Sequence, residues 1–142
     1  MASKKKIDWL YRGKPITKIE DFPELTIGFV YKLTLSDGSY YIGAKQVISI
    51  RGIQSNWRSY NGSSKTLLED LKSKKVAVIS KEILELAISK QQLLYLETVN
   101  ILCNRVLEDS NSRNGWVSCK LFKTHIIEPK PMKITQKRKK KK

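Results

Sequence analysis

The chain has 142 residues, 40% of them hydrophobic and 29% charged, which suits one globular domain with a real core and excludes both a disordered chain and a pair of ordinary domains. Lys and Arg number 28 against 13 Asp and Glu, a net charge of +15. Such an excess points to a polyanionic partner, with nucleic acid ahead of an anionic membrane.

Residues 1–20 read as a basic N-terminal segment, with six basic side chains against two acidic. The domain proper is expected over residues 21–126. Its first element is residues 28–35, where Phe29, Tyr31, Leu33 and Leu35 alternate with Val30, Lys32 and Thr34, the period of a β-strand. Ser36-Asp37-Gly38-Ser39 supplies a turn in which Gly38 can take positive φ. Tyr40-Tyr41-Ile42-Gly43 then resumes the strand and completes a hairpin.

Residues 44–64 show no sustained period, although WRSYNGSS gathers Trp57, Arg58 and Tyr60 ahead of a Gly-Ser turn. Ser64 caps a helix over about residues 65–74, with Leu67, Leu68 and Leu71 as its apolar stripe. Residues 76–87 read as a third strand that starts late, near Ser80. Ser89 and Gln92 form a capping box for a helix running to about Leu107, striped by Leu93, Leu96, Val99, Cys103 and Val106. Glu97 lies beside that stripe, where a carboxylate is costly unless it has a partner or a metal.

Residues 108–115 read as a loop and residues 116–122 as a last short strand. Residues 127–142 carry eight basic side chains against one acidic and end in six consecutive cations. They are expected to form a disordered tail that grips phosphates without reading sequence.

Cys103 and Cys119 stand sixteen apart without a CxxC spacing and read as reduced, buried thiols. His125 is the one histidine, which excludes a His-rich zinc site and leaves this residue structural or exposed. Trp9, Trp57 and Trp116 read as packing residues, none lying in an aromatic-rich basic run. No apolar run reaches the ~18–20 residues of a membrane span, and the N-terminus lacks a signal-peptide core. A soluble, cytoplasmic protein is expected.

The two tyrosine motifs, Phe29-Val30-Tyr31 and Tyr41-Ile42-Gly43, stand with their tyrosines ten apart on one hairpin. An Arg region and a helix glutamate follow. In that order they resemble the GIY-YIG nuclease superfamily. The stretches NWRSYNGSSKTL, SKEILELAISKQQLLYLET and NGWVSCKL are similar to a group of that superfamily found widely in tailed phages. The resemblance spans roughly residues 27–125. It implies an α+β fold, a small mixed and mostly antiparallel three-stranded sheet flanked by helices.

It also implies hydrolysis of DNA phosphodiesters with one divalent metal, usually Mg2+, with Mn2+ as a possible substitute. Tyr31 matches the tyrosine that helps to deprotonate the attacking water, and Tyr41 the one that hydrogen-bonds around the phosphate and water. Glu97 matches the metal ligand and Asn114 a downstream supporting residue. The arginine has two candidates. Arg51 lies ten residues after Tyr41, a common family spacing, whereas Arg58 sits in the phage-like WRSY stretch between Trp57 and Tyr60 and is preferred. Tyr60 would act as the extra aromatic beside it.

Physical chemistry asks for the same groups, because a cation and an arginine stabilise charge that builds on the phosphate oxygens. A tyrosine with a pKa near 10 is a poor base without a metal or a cation nearby, and Lys45 is within plausible reach of Tyr31. Many family members place Lys directly after the second motif; here Ala44 stands there, and Lys45 would point the other way on an extended strand. Duplex DNA is the expected partner. The grips would be the basic ends, namely Lys4, Lys5 and Lys6, and Lys137, Arg138, Lys139 and Lys140. The alternative is a non-catalytic, architectural DNA-binding protein on a nuclease-like fold.

Overall fold

A computed structural model describes residues 7–117 and 123–135. The alternating stretch 28–35 forms strand β3 (Gly28–Leu35), and the turn at Gly38, φ +86, returns the chain into β4 (Tyr40–Gln46). The third strand, β5 (Val78–Ala87), starts two residues earlier than expected and pairs antiparallel with β3 on the side away from β4. This hairpin and its neighbour form the mostly antiparallel centre that the sequence predicts.

The sheet is wider than three strands. Residues of the N-terminal segment form β1 (Trp9–Tyr11) and β2 (Lys14–Ile16), giving a five-stranded sheet in the order β2-β1-β5-β3-β4. Arg12 and Gly13, at φ 51 and 81, make the tight turn between them. Each strand has three residues, too few to be legible by period. Their place is secured from outside, by parallel pairing of β1 on β5 and by burial of Trp9.

Two apolar layers sandwich the sheet. Trp9, Phe29, Tyr31, Leu33 and Ile83 face Trp57 and Leu67, which belong to the connection 47–64 and to helix α1 (Lys65–Lys72). Val30, Ile42 and Ala87 face helix α2 (Lys90–Cys103) through Leu93 and Ile101. Both N-caps form as predicted: Ser64 Oγ accepts from the Leu67 N–H at 3.4 Å, and Ser89 Oγ from the Gln92 N–H at 3.0 Å.

Four expectations are corrected here. The second long helix ends at Cys103, not near Leu107, because Arg105 takes a left-handed backbone (φ 51) and Val106–Glu108 tighten into a 3-10 turn. Cys103 is consequently exposed, while Thr98 and Ile101 take the buried face; Cys119 lies outside the described residues. Leu68 is exposed on α1, where Leu67 alone is fully buried. Trp116 is exposed as well, and it and Val117 are not in a strand; the rest of the expected strand, residues 118–122, lies outside the description.

The tail also differs from expectation in its first part. After helix α3 (Lys123–Ile127), the chain fastens back onto the domain. The Met132 N–H donates to the Ile88 carbonyl at 2.9 Å and the Thr135 N–H to the Ile50 carbonyl at 2.8 Å. Met132 and Ile134 pack against the α2-side core, so this stretch does have apolar side chains to bury. None of the described helices is long and apolar enough to cross a membrane.

Candidate active site

Alternation along β4 sends Tyr41, Gly43 and Lys45 to one face of the sheet. Across the ladder Gly43 stands opposite Tyr31, and Lys45 opposite Phe29. Glycine is required at position 43, since a Cβ there would lie 2.5 Å from the Tyr31 hydroxyl and 2.9 Å from Cε1 of Tyr41. Gly62, at φ +93, closes on the same two rings from the covering loop. The tyrosines therefore meet at a ring separation of 6.3 Å, and Tyr60 stands 6.0 Å from Tyr31, nearly perpendicular to it. Nζ of Lys45 sits 4.1 Å above the Tyr60 ring. Lys45, unlike residue 44, therefore lies on the tyrosine face.

The free edge of β4 supplies the second half of the site. Its outward amides are met in succession. The Tyr40 N–H donates to Asn111 O at 3.0 Å, and the Arg113 N–H donates to Tyr40 O at 2.7 Å. At Ile42 the partner is a side chain: Asn114 Oδ1 accepts from the Ile42 N–H at 2.9 Å, and Nδ2 donates to the Ile42 carbonyl at 2.6 Å. One residue pair further along the edge, the Ala44 backbone N–H lies near enough to the Glu97 carboxylate to favour its ionised form.

Arg113 anchors the segment that carries Asn114. It bonds Asp70 at 2.8 Å, Asp37 at 3.2 Å and Ser39 Oγ at 2.8 Å, tying α1, the β3–β4 turn and the 109–115 loop together. The cleft that results, about 220 Å³, is lined by Tyr41, Ser63, Ser64, Glu97, Asn114 and Trp116 among others. Glu97 is its one carboxylate.

The electrostatics follow from burial. Tyr31 is shut from water, which pushes its pKa far up, and the neighbouring Tyr60, Tyr41 and Glu97 push it further. Its hydroxyl is a neutral phenol at any ordinary pH. Tyr41 is raised by burial and by Glu97 and Tyr60, against the opposing hydrogen bond with Ser63 Oγ at 3.4 Å. Burial lowers the Lys45 pKa. Glu97 is raised by burial and pulled back in part by the Ala44 N–H.

Among the described residues no three His, Cys, Asp or Glu side chains cluster as metal ligands, which does not suit a zinc cage. A single half-buried carboxylate does suit magnesium, which keeps several waters and binds through one or two carboxylates plus substrate phosphates. Glu97 is the residue that could hold it.

Tyr41, Glu97 and Asn114 thus line the cleft, and Tyr31, Tyr60 and Lys45 form an aromatic–cation cluster that adjoins it through the Tyr31–Tyr41 contact. The two arginines lie elsewhere. Arg58 lines a separate groove with Lys74 and Lys81, and Arg51 lies exposed on the turn after Ser49. Neither lines the cleft. Lys4, Lys5, Lys6, Lys137, Arg138, Lys139 and Lys140 lie outside the described residues.

Sequence reasoning missed Ser63, Gly62, Arg113 and Trp116. The GSS run before the helix cap was a signal for the first two. Arg113 had none, because its partners Asp37 and Asp70 are distant in sequence.

The family model described as "Putative endonuclease segE, GIY-YIG domain" matches residues 9–121. A curated protein, the Intron-associated endonuclease 2 of Enterobacteria phage T4, is 33% identical over 78 residues. That alignment covers 53% of this chain and 30% of the T4 protein, so the chain spans under a third of the relative's length. No solved structure matches the chain.

Proposed function

This chain belongs to the GIY-YIG endonuclease family, and from that premise we propose that it is a magnesium-dependent DNA endonuclease whose chemistry runs in the Tyr41–Glu97 cleft. One observation carries the reading. Three residues from three elements converge, close enough for the Glu97 charge to raise the pKa of both Tyr31 and Tyr41.

Glu97 would hold the divalent cation, with Mn2+ as a substitute for Mg2+; bound there, it supplies positive charge to a phosphate oxygen and acidifies water. The protonated Tyr41 hydroxyl donates a hydrogen bond to a non-bridging phosphate oxygen. The N-terminus of α1, at Ser63 and Ser64 on the cleft wall, adds partial positive charge on the same side. Tyr31 stands behind Tyr41 as a neutral phenol; to take a proton from the attacking water it must first release its own proton to solvent, and that requires positive charge beside the phenolate. Lys45, beside Tyr60 on the same face, is the chain's own source of that charge.

Asn114 is a positioning residue, because both ends of its amide are used on Ile42. Arg58 and Arg51 act as backbone-phosphate contacts flanking the cleft. They are joined by Lys4, Lys5 and Lys6 and by Lys137, Arg138, Lys139 and Lys140. The substrate is duplex DNA, met in the cytoplasm.

The test is plasmid relaxation with magnesium, comparing the full chain with Glu97→Ala, alongside filter binding. Nicking that is lost in the variant while DNA binding persists supports the proposal. If both proteins bind DNA alike and neither cuts with magnesium or manganese, the chain is an architectural DNA-binding protein instead.

A further inference from the structure

Trp116 is 75% exposed, the most exposed large hydrophobic side chain of the described residues, while Trp9 and Trp57 are each 1% exposed. An indole left in water forgoes the burial that Trp usually takes. Its position is not arbitrary. Trp116 stands on the rim of the cleft that holds Tyr41 and Glu97, two residues after Asn114, which is locked to Ile42 by two hydrogen bonds. The segment is pinned just before the indole by Arg113 as well.

We propose that Trp116 is a stacking platform for a nucleobase next to the phosphate held in the cleft, so that DNA with an unpaired nucleotide at that step is the preferred substrate. The inference rests on the nuclease reading for what occupies the cleft. Its own ground is the indole. A phosphate seated at Tyr41, across a cation from Glu97, brings its sugar and base to the rim, where Trp116 is the exposed aromatic ring among the described lining residues. In a continuous duplex both faces of every base are already covered by neighbours. An indole therefore finds a free face only on a base that is unpaired or turned out of the stack. Stacking of this kind tolerates any base, so the preference is for structure and not for sequence.

Intrinsic tryptophan fluorescence tests this, because the two buried indoles give a constant background and Trp116 reports on the rim. The full chain is titrated with calcium in place of magnesium, which supplies a divalent cation to the carboxylate, using a continuous duplex and the same duplex carrying one unpaired thymidine, and a gel of each mixture verifies that the DNA is uncut. The expected result is quenching by the second DNA, with binding about tenfold tighter than to the first. Trp116→Leu should abolish the quench and bind both DNAs alike, and Trp116→Phe should restore the preference. The platform is overturned if the parent binds the two DNAs equally, or if the quench survives in Trp116→Leu.

Magnesium-dependent cleavage is measured separately on the same preparations. Cleavage without the preference removes the platform alone. Preference and quench without cleavage keep the platform and remove the nuclease reading. Absence of any DNA binding removes both.

Discussion

Gly43 and Glu97 show how single residues shape the candidate site. A methyl group at position 43 would meet the Tyr31 hydroxyl at 2.5 Å, so Gly43→Ala must push the ring or the strand aside. Overpacking of this kind costs about 1–3 kcal/mol, to be read as a lower urea midpoint, and any cleavage activity should fall with it. Glu97 has the opposite signature. Burial raises its carboxyl pKa, so the folded state takes up a proton more readily than the unfolded chain does. The linked stability is present at acid pH and is lost as pH rises through the folded pKa. Without metal, Glu97→Gln should therefore melt higher than the parent at pH 8, with the difference vanishing in acid, where both side chains are neutral. Cleavage should fall on the acid side, and the limb should move to lower pH as magnesium is raised, since protons and the cation compete for the one carboxylate.

Among the elements, the 109–115 loop depends most on contacts far away in sequence. Asn114→Ala would leave the Ile42 N–H and C=O unmet, at about 1–3 kcal/mol, and should speed amide exchange at Ile42 specifically. Arg113→Ala leaves Asp70 and Asp37 facing each other without their shared cation. Its expected cost is also about 1–3 kcal/mol, between that of an exposed pair and that of a fully buried one. Neither role was legible in the chain. The β3–β4 hairpin and both helix starts were, because period-two alternation and Ser caps are written over a few adjacent residues. The helix end was not, since a left-handed Arg105 carries no glycine to announce it. The N-terminal hairpin was hidden for a related reason: three-residue strands hold their place through partners some seventy residues away. The candidate site was readable as four motif residues, Tyr31, Tyr41, Glu97 and Asn114, of which the last three line the cleft. The arginine was less so, because loop 47–64 has no periodicity to say which side chain turns inward.

For the molecule as a whole, the proposed function turns on how a small domain would hold a long polyanion. The last described residue, Thr135, is hydrogen-bonded to Ile50, next to Arg51, and six consecutive cations follow two residues later in the sequence. Removing residues 136–142 should flatten the slope of log affinity against log salt by up to about 5, equally for all DNA sequences. Cleavage at saturating DNA should persist, since the cleft lies elsewhere. An unchanged slope would mean that the grip lies in the domain, in the groove of Arg58, Lys74 and Lys81.

The side chains that close the edge of β4 have a second consequence. A bare edge strand is a template on which another chain can add itself, and here the N–H and C=O of Ile42 are both withheld by Asn114, a residue assigned to the candidate site. Variants meant only to silence the chemistry will therefore unseal a surface prone to self-association. Inactive preparations of this protein should be checked for soluble aggregates before a loss of cutting is put down to catalysis.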